Sequence, residues 1–207
     1  MTDGDKRMTF PNPMLVVVSG PSGVGKSTIV AELARRHPQV VPIVTTTTRQ
    51  RRQGEIDGVH YHFVSDEEFR NLIERNGLLE YADNHGYWYG TPIDQVRGIL
   101  AAGRDAILTI SPEGARNVRR LVPDALLVFV MPPTMEDLTR RLRGRGSESE
   151  SSIARRREDA ERWIAEEAPD YDHVVVNETG RPEEAAERIW EIIQAEARRD
   201  PPRRPRV

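Results

Sequence analysis

The chain has 207 residues, 37% apolar and 30% charged, with 30 Lys plus Arg against 33 Asp plus Glu and a formal charge of −3. That length suits one substantial core with an inserted lobe, and a balanced charge argues against nucleic acid as the main partner. The chain has no cysteine, which excludes disulfides and thiolate metal sites; no window approaches a membrane span, no signal-peptide stretch opens the chain, and a cytoplasmic location is the expectation.

Residues 1–12 lack periodicity and are expected to be disordered. The apolar run Met14 to Val18 reads as a buried strand. Directly behind it come Gly20, Pro21, Ser22, Gly23, Val24, Gly25, Lys26 and Ser27, the spacing GxxxxGK followed by a hydroxyl residue. Helix-forming residues from Thr28 to Arg36 follow, stopped by His37 and Pro38. Glycines on a strand-to-helix turn let successive backbone N–H groups converge on phosphate oxygens. Lys26 would reach the β- and γ-phosphates, and the Ser27 hydroxyl would ligate Mg²⁺. Gly20 to Thr28 are therefore expected to bind a nucleoside triphosphate. Motors, GTPases, transporters and small-molecule kinases share this loop, so it leaves the acceptor open.

Val40 to Thr48 is the next β-branched run, and Tyr61 to Val64 alternates as a short strand. Ser65 to Glu68 carries a capping-box signature for a helix ending near Asn76 and Gly77. Leu78 to Ala82 and Tyr87 to Tyr89 are short strand candidates. Thr91 and Pro92 read as N-cap and first-turn proline of a helix running to about Gly103. Ala106 to Ile110 is a buried strand, Ser111 and Pro112 start a helix, Ala125 to Val130 is a further strand, and Thr134 opens a helix to Leu142. Strand and helix in alternation imply a parallel sheet covered on both faces. Closely spaced alternating strands between about 45 and 95 imply a small mixed or antiparallel lobe inserted in it. His60 and His62 share a strand face without a third metal ligand and are read as structural.

Arg140, Arg141, Arg143 and Arg145 surround Gly144, and Arg155, Arg156 and Arg157 follow Ser147 to Ser152. Guanidinium groups suit planar contact with phosphate oxygens and stabilise charge during phosphoryl transfer, often from a mobile lid. The other reading is a solvated helix face paired with Glu148, Glu150, Glu158 and Glu161 at helical spacing. Both stay open for the set, and Arg145, lying between two glycines, suits a lid hinge. The proline-interrupted tail 198–207 is expected to be a disordered basic end without function.

Thr45 to Thr48 with Arg49, then Arg52, Gly54, Glu55, Gly58 and Tyr61, and downstream Glu80 and the cluster Tyr87 to Thr91, resemble the nucleotide-monophosphate lobe of guanylate kinases. GPSGVGKST in the loop and GRGSE in the lid resemble the same family, so the likeness spans about Met14 to Asn177. It implies an α/β fold: a P-loop kinase core with a parallel sheet flanked by helices (13–44, 96–134 and 168–197), an inserted GMP-binding lobe (45–95) and a helical lid (135–167). It implies that Arg49, Arg52, Tyr61 and Tyr89 hold the phosphate of GMP, and that Glu80 with Thr45 and Thr91 reads guanine. One ionised carboxylate can accept from both N1–H and the 2-amino group of guanine, while hydroxyl donors meet O6. It further implies that Asn177 lies near the adenine of ATP, and that Lys26, Arg141, Arg145 and Arg156 serve the transferring phosphoryl group.

One stretch departs from the family. Its strand before Ser111 usually ends in an acid-Ile-Asp pattern followed by glutamine and glycine. Here it reads Leu108, Thr109, Ile110, Ser111, Pro112, Glu113, Gly114, which removes up to two negative charges near the expected Mg²⁺ and substrate sites. Because Mg²⁺ often takes one or two protein ligands plus phosphates, Ser27 and the nucleotide suffice in principle. The expected activity is transfer of the ATP γ-phosphoryl group to GMP, giving ADP and GDP. The alternatives are a kinase-inactive guanylate-kinase-like binding module or a related kinase acting on a sugar phosphate. The expected partners are ATP and GMP, with no nucleic acid and no membrane; whether the chain is a monomer or a homo-oligomer stays open.

Overall fold

Strand β1 (Leu15–Ser19) is buried at every position because both faces of its sheet are covered. Leu15 and Val17 join one apolar cluster and Val16 and Val18 the other, as the two-residue period of a strand dictates. In this computed structural model the described residues are 12–84, 86–144 and 149–207. Residues 1–11 of the expected disordered end and Arg145 lie outside them.

The remaining elements are α1 (Lys26–Arg36), β2 (Val40–Pro42), β3 (Thr46–Thr47), β4 (His62–Phe63), α2 (Asp66–Glu74), β5 (Leu78–Asn84), β6 (Tyr87–Pro92), α3 (Ile93–Ala101), β7 (Asp105–Thr109), α4 (Pro112–Leu121), β8 (Leu126–Met131), α5 (Met135–Arg143), α6 (Glu150–Glu166), β9 (His173–Val176) and α7 (Pro182–Ala197). A five-stranded sheet has the order β2-β7-β1-β8-β9, and all its pairings are parallel. Helices α1, α5 and α7 pack on one face, and α3 and α4 on the other. Since β7 and β8 flank β1 on opposite sides, the loop after β1 opens where the strand order reverses, the usual crevice for ligands in such sheets. Among the described residues no helix is long and apolar enough to cross a membrane.

The second sheet has the order β4-β3-β6-β5. It is mixed: β3 pairs parallel with β4 and antiparallel with β6, which pairs antiparallel with β5. The run from Val40 to Thr48, one segment by sequence, splits between the two sheets. Its first part pairs with β7 and its last with β6 and β4, with Ile43 to Thr45 crossing between. The polypeptide enters the lobe there and leaves it through β6 into α3. The capping box forms as expected: Ser65 Oγ accepts from Glu68 N, and the Glu68 carboxylate accepts from Ser65 N at 2.7 Å.

Two expectations need correction. Pro92, not Thr91, occupies the N-cap of α3, because the Thr91 hydroxyl is spent on Glu80 Oε1 at 2.7 Å. The tail is not a free end either. Arg203 is 8% exposed; its guanidinium donates to Glu196 at 2.7 Å and to the Ala125 carbonyl at 3.1 Å, and pairs with Asp172 at 3.2 Å. Val207 packs against the cluster beneath α3 and α4, and its carbonyl accepts from Arg97. Composition suggested disorder, but two carboxylates and a carbonyl brought together by β8, β9 and α7 satisfy the buried cation.

Candidate active site

The donor side is built from backbone. Gly20 has φ 138°, and a Cβ there would lie 2.1 Å from the Val130 carbonyl oxygen, so the loop can leave β1 only through glycine. Gly25, at φ 99°, caps α1 with the loop wrapped before it. Lys26 Nζ donates to the Gly20 and Pro21 carbonyls at 2.7 and 2.9 Å, which curls the side chain over its own loop. Ser27 and Thr28 follow at the amino end of α1, both exposed in the cleft.

Of the arginines left open by the sequence, most face solvent. Arg143 pairs with Glu150 and Arg157 with Glu161, as the solvated-face reading holds. Arg156 turns inward from α6 and donates from Nη1 to Ser22 Oγ at 2.5 Å. Arg141 also turns inward, to a different place from the one expected. It donates to the Val24 carbonyl at 3.1 Å, to the Asn177 carbonyl at 2.8 Å and to Thr179 at 3.0 Å. Asn177 Nδ2 donates to that same Val24 carbonyl at 2.7 Å. Neither residue lines the cleft. Both brace the phosphate loop from behind, tying it to the ends of α5 and β9, so Arg141 is not placed to touch the reacting phosphates in this arrangement.

The acceptor side is built from side chains. Glu80 on β5 is 5% exposed, and β6, running antiparallel beside it, brings Thr91 to its carboxylate. Burial, with Glu113 adding to it, raises Glu80 to about 7 against the pull of the Thr91 hydrogen bond. A Cβ on Gly114 would come within 2.9 Å of Glu80 Oε2, so glycine there lets the first turn of α4 approach the carboxylate without displacing it. The amino end of the helix favours the charged form there. Thr45, buried, lines the same space.

Arg49 follows β3 and is 8% exposed. Its guanidinium donates to Glu55 at 2.7 Å and to the Gln50 carbonyl at 2.7 Å. It lies 5.3 Å from the centre of the Tyr61 ring and 5.7 Å from that of Phe63. Burial works against its charge, but Glu55 and Tyr89 outweigh that and hold its pKa above the usual value. The hydrogen bond from Arg49 keeps Glu55 below the usual carboxylate range. Tyr61 and Tyr89 meet edge to face at 5.9 Å, and burial raises the Tyr61 hydroxyl. Arg52 reaches the cleft from the exposed loop beyond.

One cleft of about 390 Å³ is lined from both sides: by Gly20 to Thr28 (save Pro21 and Val24) and Arg156, and by Thr45, Arg49, Arg52, Tyr61, Glu80 and Tyr89. Thr91 stands behind Glu80 rather than on the cleft wall. Thr109 and Ser111 also face the cleft where the family carries acids. Ser111 Oγ accepts from Gly114 N at 3.3 Å as the cap of α4. Among the described residues no group of three or more His, Cys, Asp or Glu could hold a metal ion; the exposed Ser27 hydroxyl lines the cleft at the amino end of α1. His60 and His62 are structural: His60 Nδ1 accepts from Ile56 N, and His62 meets Gln95. Sequence reasoning gave no role to Glu55 or Gly114. Glu55 stood within the quoted motif, whereas nothing in the sequence says that Gly114 meets Glu80.

A family model described as Guanylate kinase matches residues 12–196. A guanylate kinase from Thermobifida fusca is 53% identical over 163 residues, covering 79% of this chain and 83% of the relative. One from Streptomyces coelicolor is 50% identical over 165 residues, covering 80% and 83%. The crystal structure of guanylate kinase from Anaplasma phagocytophilum superposes with a TM-score of 0.75 at 31% identity, covering 91% of this chain and 88% of that one.

Proposed function

The chain belongs to the guanylate kinase family, an ATP-dependent phosphotransferase that converts GMP to GDP, and we propose that the loop after β1 holds ATP while the mixed sheet holds GMP. A single observation supports this division: Lys26 from the start of α1, Arg49 from the loop after β3 and Glu80 from β5 line one cleft.

Backbone N–H groups between Ser22 and Thr28 cradle the donor phosphates, and Lys26 exchanges the Gly20 and Pro21 carbonyls for phosphate oxygens. Mg²⁺, held at the Ser27 hydroxyl, would neutralise charge on the β- and γ-oxygens. Arg156, already against the loop at Ser22, supplies a cation beside the transferring group. Arg49 and Arg52, with the Tyr61 and Tyr89 hydroxyls, hold the GMP phosphate. Glu80 in its ionised form accepts from guanine N1–H and the 2-amino group, oriented by Thr91, and Thr45 offers a hydroxyl to the base. An adenine in this pocket would leave the buried carboxylate unpaired, the condition under which a site rejects an analogue by roughly 10⁴-fold. Catalysis is then positioning and charge stabilisation, with no covalent intermediate.

A coupled ADP-release assay with GMP, dGMP, AMP, ribose bisphosphate and no acceptor tests the assignment. ADP release only with guanine nucleotides is expected. GMP binding without turnover would mark a binding module, and turnover of ribose bisphosphate would mark a sugar-phosphate kinase.

A further inference from the structure

Glu55 makes two contacts that point to one role. Its Oε1 accepts from Arg49 Nη2 at 2.7 Å, and its Oε2 accepts from the backbone N–H of Arg52 at 2.7 Å. One carboxylate thus closes a ring through the side chain of Arg49 and the main chain of Arg52. The pair is well shielded, with side-chain exposures of 9% for Arg49 and 18% for Glu55. The loop between them has little else to define it: Arg51 to Gly54 are exposed, and the turn is closed by Glu55 N donating to the Arg52 carbonyl at 3.2 Å. Thr47 Oγ1, which accepts from Arg49 N at 3.2 Å, fixes the other end of the segment.

We propose that Glu55 is a positioning residue for the acceptor phosphate: it sets the Arg49 fork and, through the Arg52 main chain, the loop from which the second guanidinium reaches the cleft. The proposal rests on the reading of Arg49 and Arg52 as the phosphate-binding pair. Two effects oppose each other. Glu55 offsets one positive charge in a site that must attract a phosphate, which by itself weakens binding. Against that, an arginine fork carries five donors, and the bonds to Glu55 and Gln50 leave others for a ligand. Without Glu55 the buried guanidinium would lose its counter-ion and rotate toward solvent, and the Arg52 N–H would lose its acceptor. Orientation wins because the pair is shielded and the carboxylate fixes two groups at once, one of which, the main chain, has no charge to recover. Glu55 therefore remains paired when substrate enters.

Titration calorimetry with GMP and with guanosine, alongside steady-state kinetics, separates these effects in the full-length wild type, Glu55→Ala and Glu55→Gln. Glutamine offers a single acceptor oxygen, so it can keep one of the two bonds. Glu55→Ala is expected to weaken GMP and raise its KM about 10- to 100-fold, with Glu55→Gln in between. KM for ATP and guanosine affinity should be unchanged, since guanosine lacks the phosphate that Arg49 meets. A tighter GMP complex in either variant would show that Glu55 competes with the phosphate, and equal losses for GMP, guanosine and ATP would show a general structural role. Either overturns the proposal. If instead the wild type does not phosphorylate GMP, the reading of the site has failed; if only the variants behave like wild type, the role of Glu55 has failed.

Discussion

The donor loop and the acceptor lobe face the same cleft and are made in different ways. The loop presents mainly backbone to the cleft, from one short run between Gly20 and Thr28, with Lys26 its one cation, and buries almost no charge. The lobe presents side chains gathered from β5, β6 and the loops beside β3, and it buries two ionisable groups, Arg49 and Glu80. A backbone cradle recognises phosphate wherever it occurs, so it cannot choose an acceptor. A buried carboxylate can choose, because a mismatched base leaves it unpaired, and the cost of that selectivity is carried by the fold.

The sharpest test of this contrast is Lys26→Ala. It should cut kcat about 10³-fold while GMP affinity, read by calorimetry, stays at the wild-type value. A parallel loss of GMP binding would mean that the two halves are not independent.

Next comes Glu80→Gln, where function and stability should move in opposite directions. At pH 8 the GMP KM is expected to rise about 100-fold with little change for ATP. Glu80 keeps its proton to about 7 instead of its ordinary 4.5. Between those values the folded chain holds a proton that the unfolded chain has lost, so the Glu80 contribution to stability falls as pH rises across that window and is flat above it. Glu80→Gln removes the penalty, and denaturant melts at pH 8 should show a gain of about 1–3 kcal/mol, shrinking toward zero by pH 4.5. In the wild type the KM for GMP should climb as pH drops below about 7, because guanine needs the ionised carboxylate. No stabilisation at pH 8 would break the claim that acceptor selectivity is costly to the fold.

The smallest effect belongs to Gly114→Ala. The added methyl would press on Glu80 Oε2 and, since a carboxylate can shift by a few tenths of an ångström, should raise the GMP KM only about 3- to 10-fold. ATP parameters should not change. An equal effect on both substrates would place the damage in α4 rather than at the carboxylate.

How far the sequence could be read follows the same divide. The strand, loop and helix from Met14 to Arg36 were legible because each is local: an apolar run, glycines at turns, a helix-forming stretch. The capping box at Ser65 and the N-caps at Ser111 and Thr134 were legible for the same reason. The lobe residues could be picked out by resemblance, and their types suit the chemistry. Where the local pattern misled, the residue's partner was remote. Thr91 resembles a helix cap until β5 brings Glu80 beside it. Arg141 resembles a phosphate contact until the Val24 and Asn177 carbonyls claim it. Arg203 resembles a solvated charge until Asp172, Glu196 and Ala125 surround it.

Sequence by itself determined that a glycine-rich loop would turn from β1 into α1, because the course of such a loop depends on local dihedral angles, which the glycines permit. Tertiary structure alone decided what each polar side chain does: which arginines face the cleft, that Glu55 holds both Arg49 and Arg52, and that Gly114 makes room for Glu80. Such roles depend on distances between segments far apart in the chain, and those distances exist only once two sheets and their helices have packed.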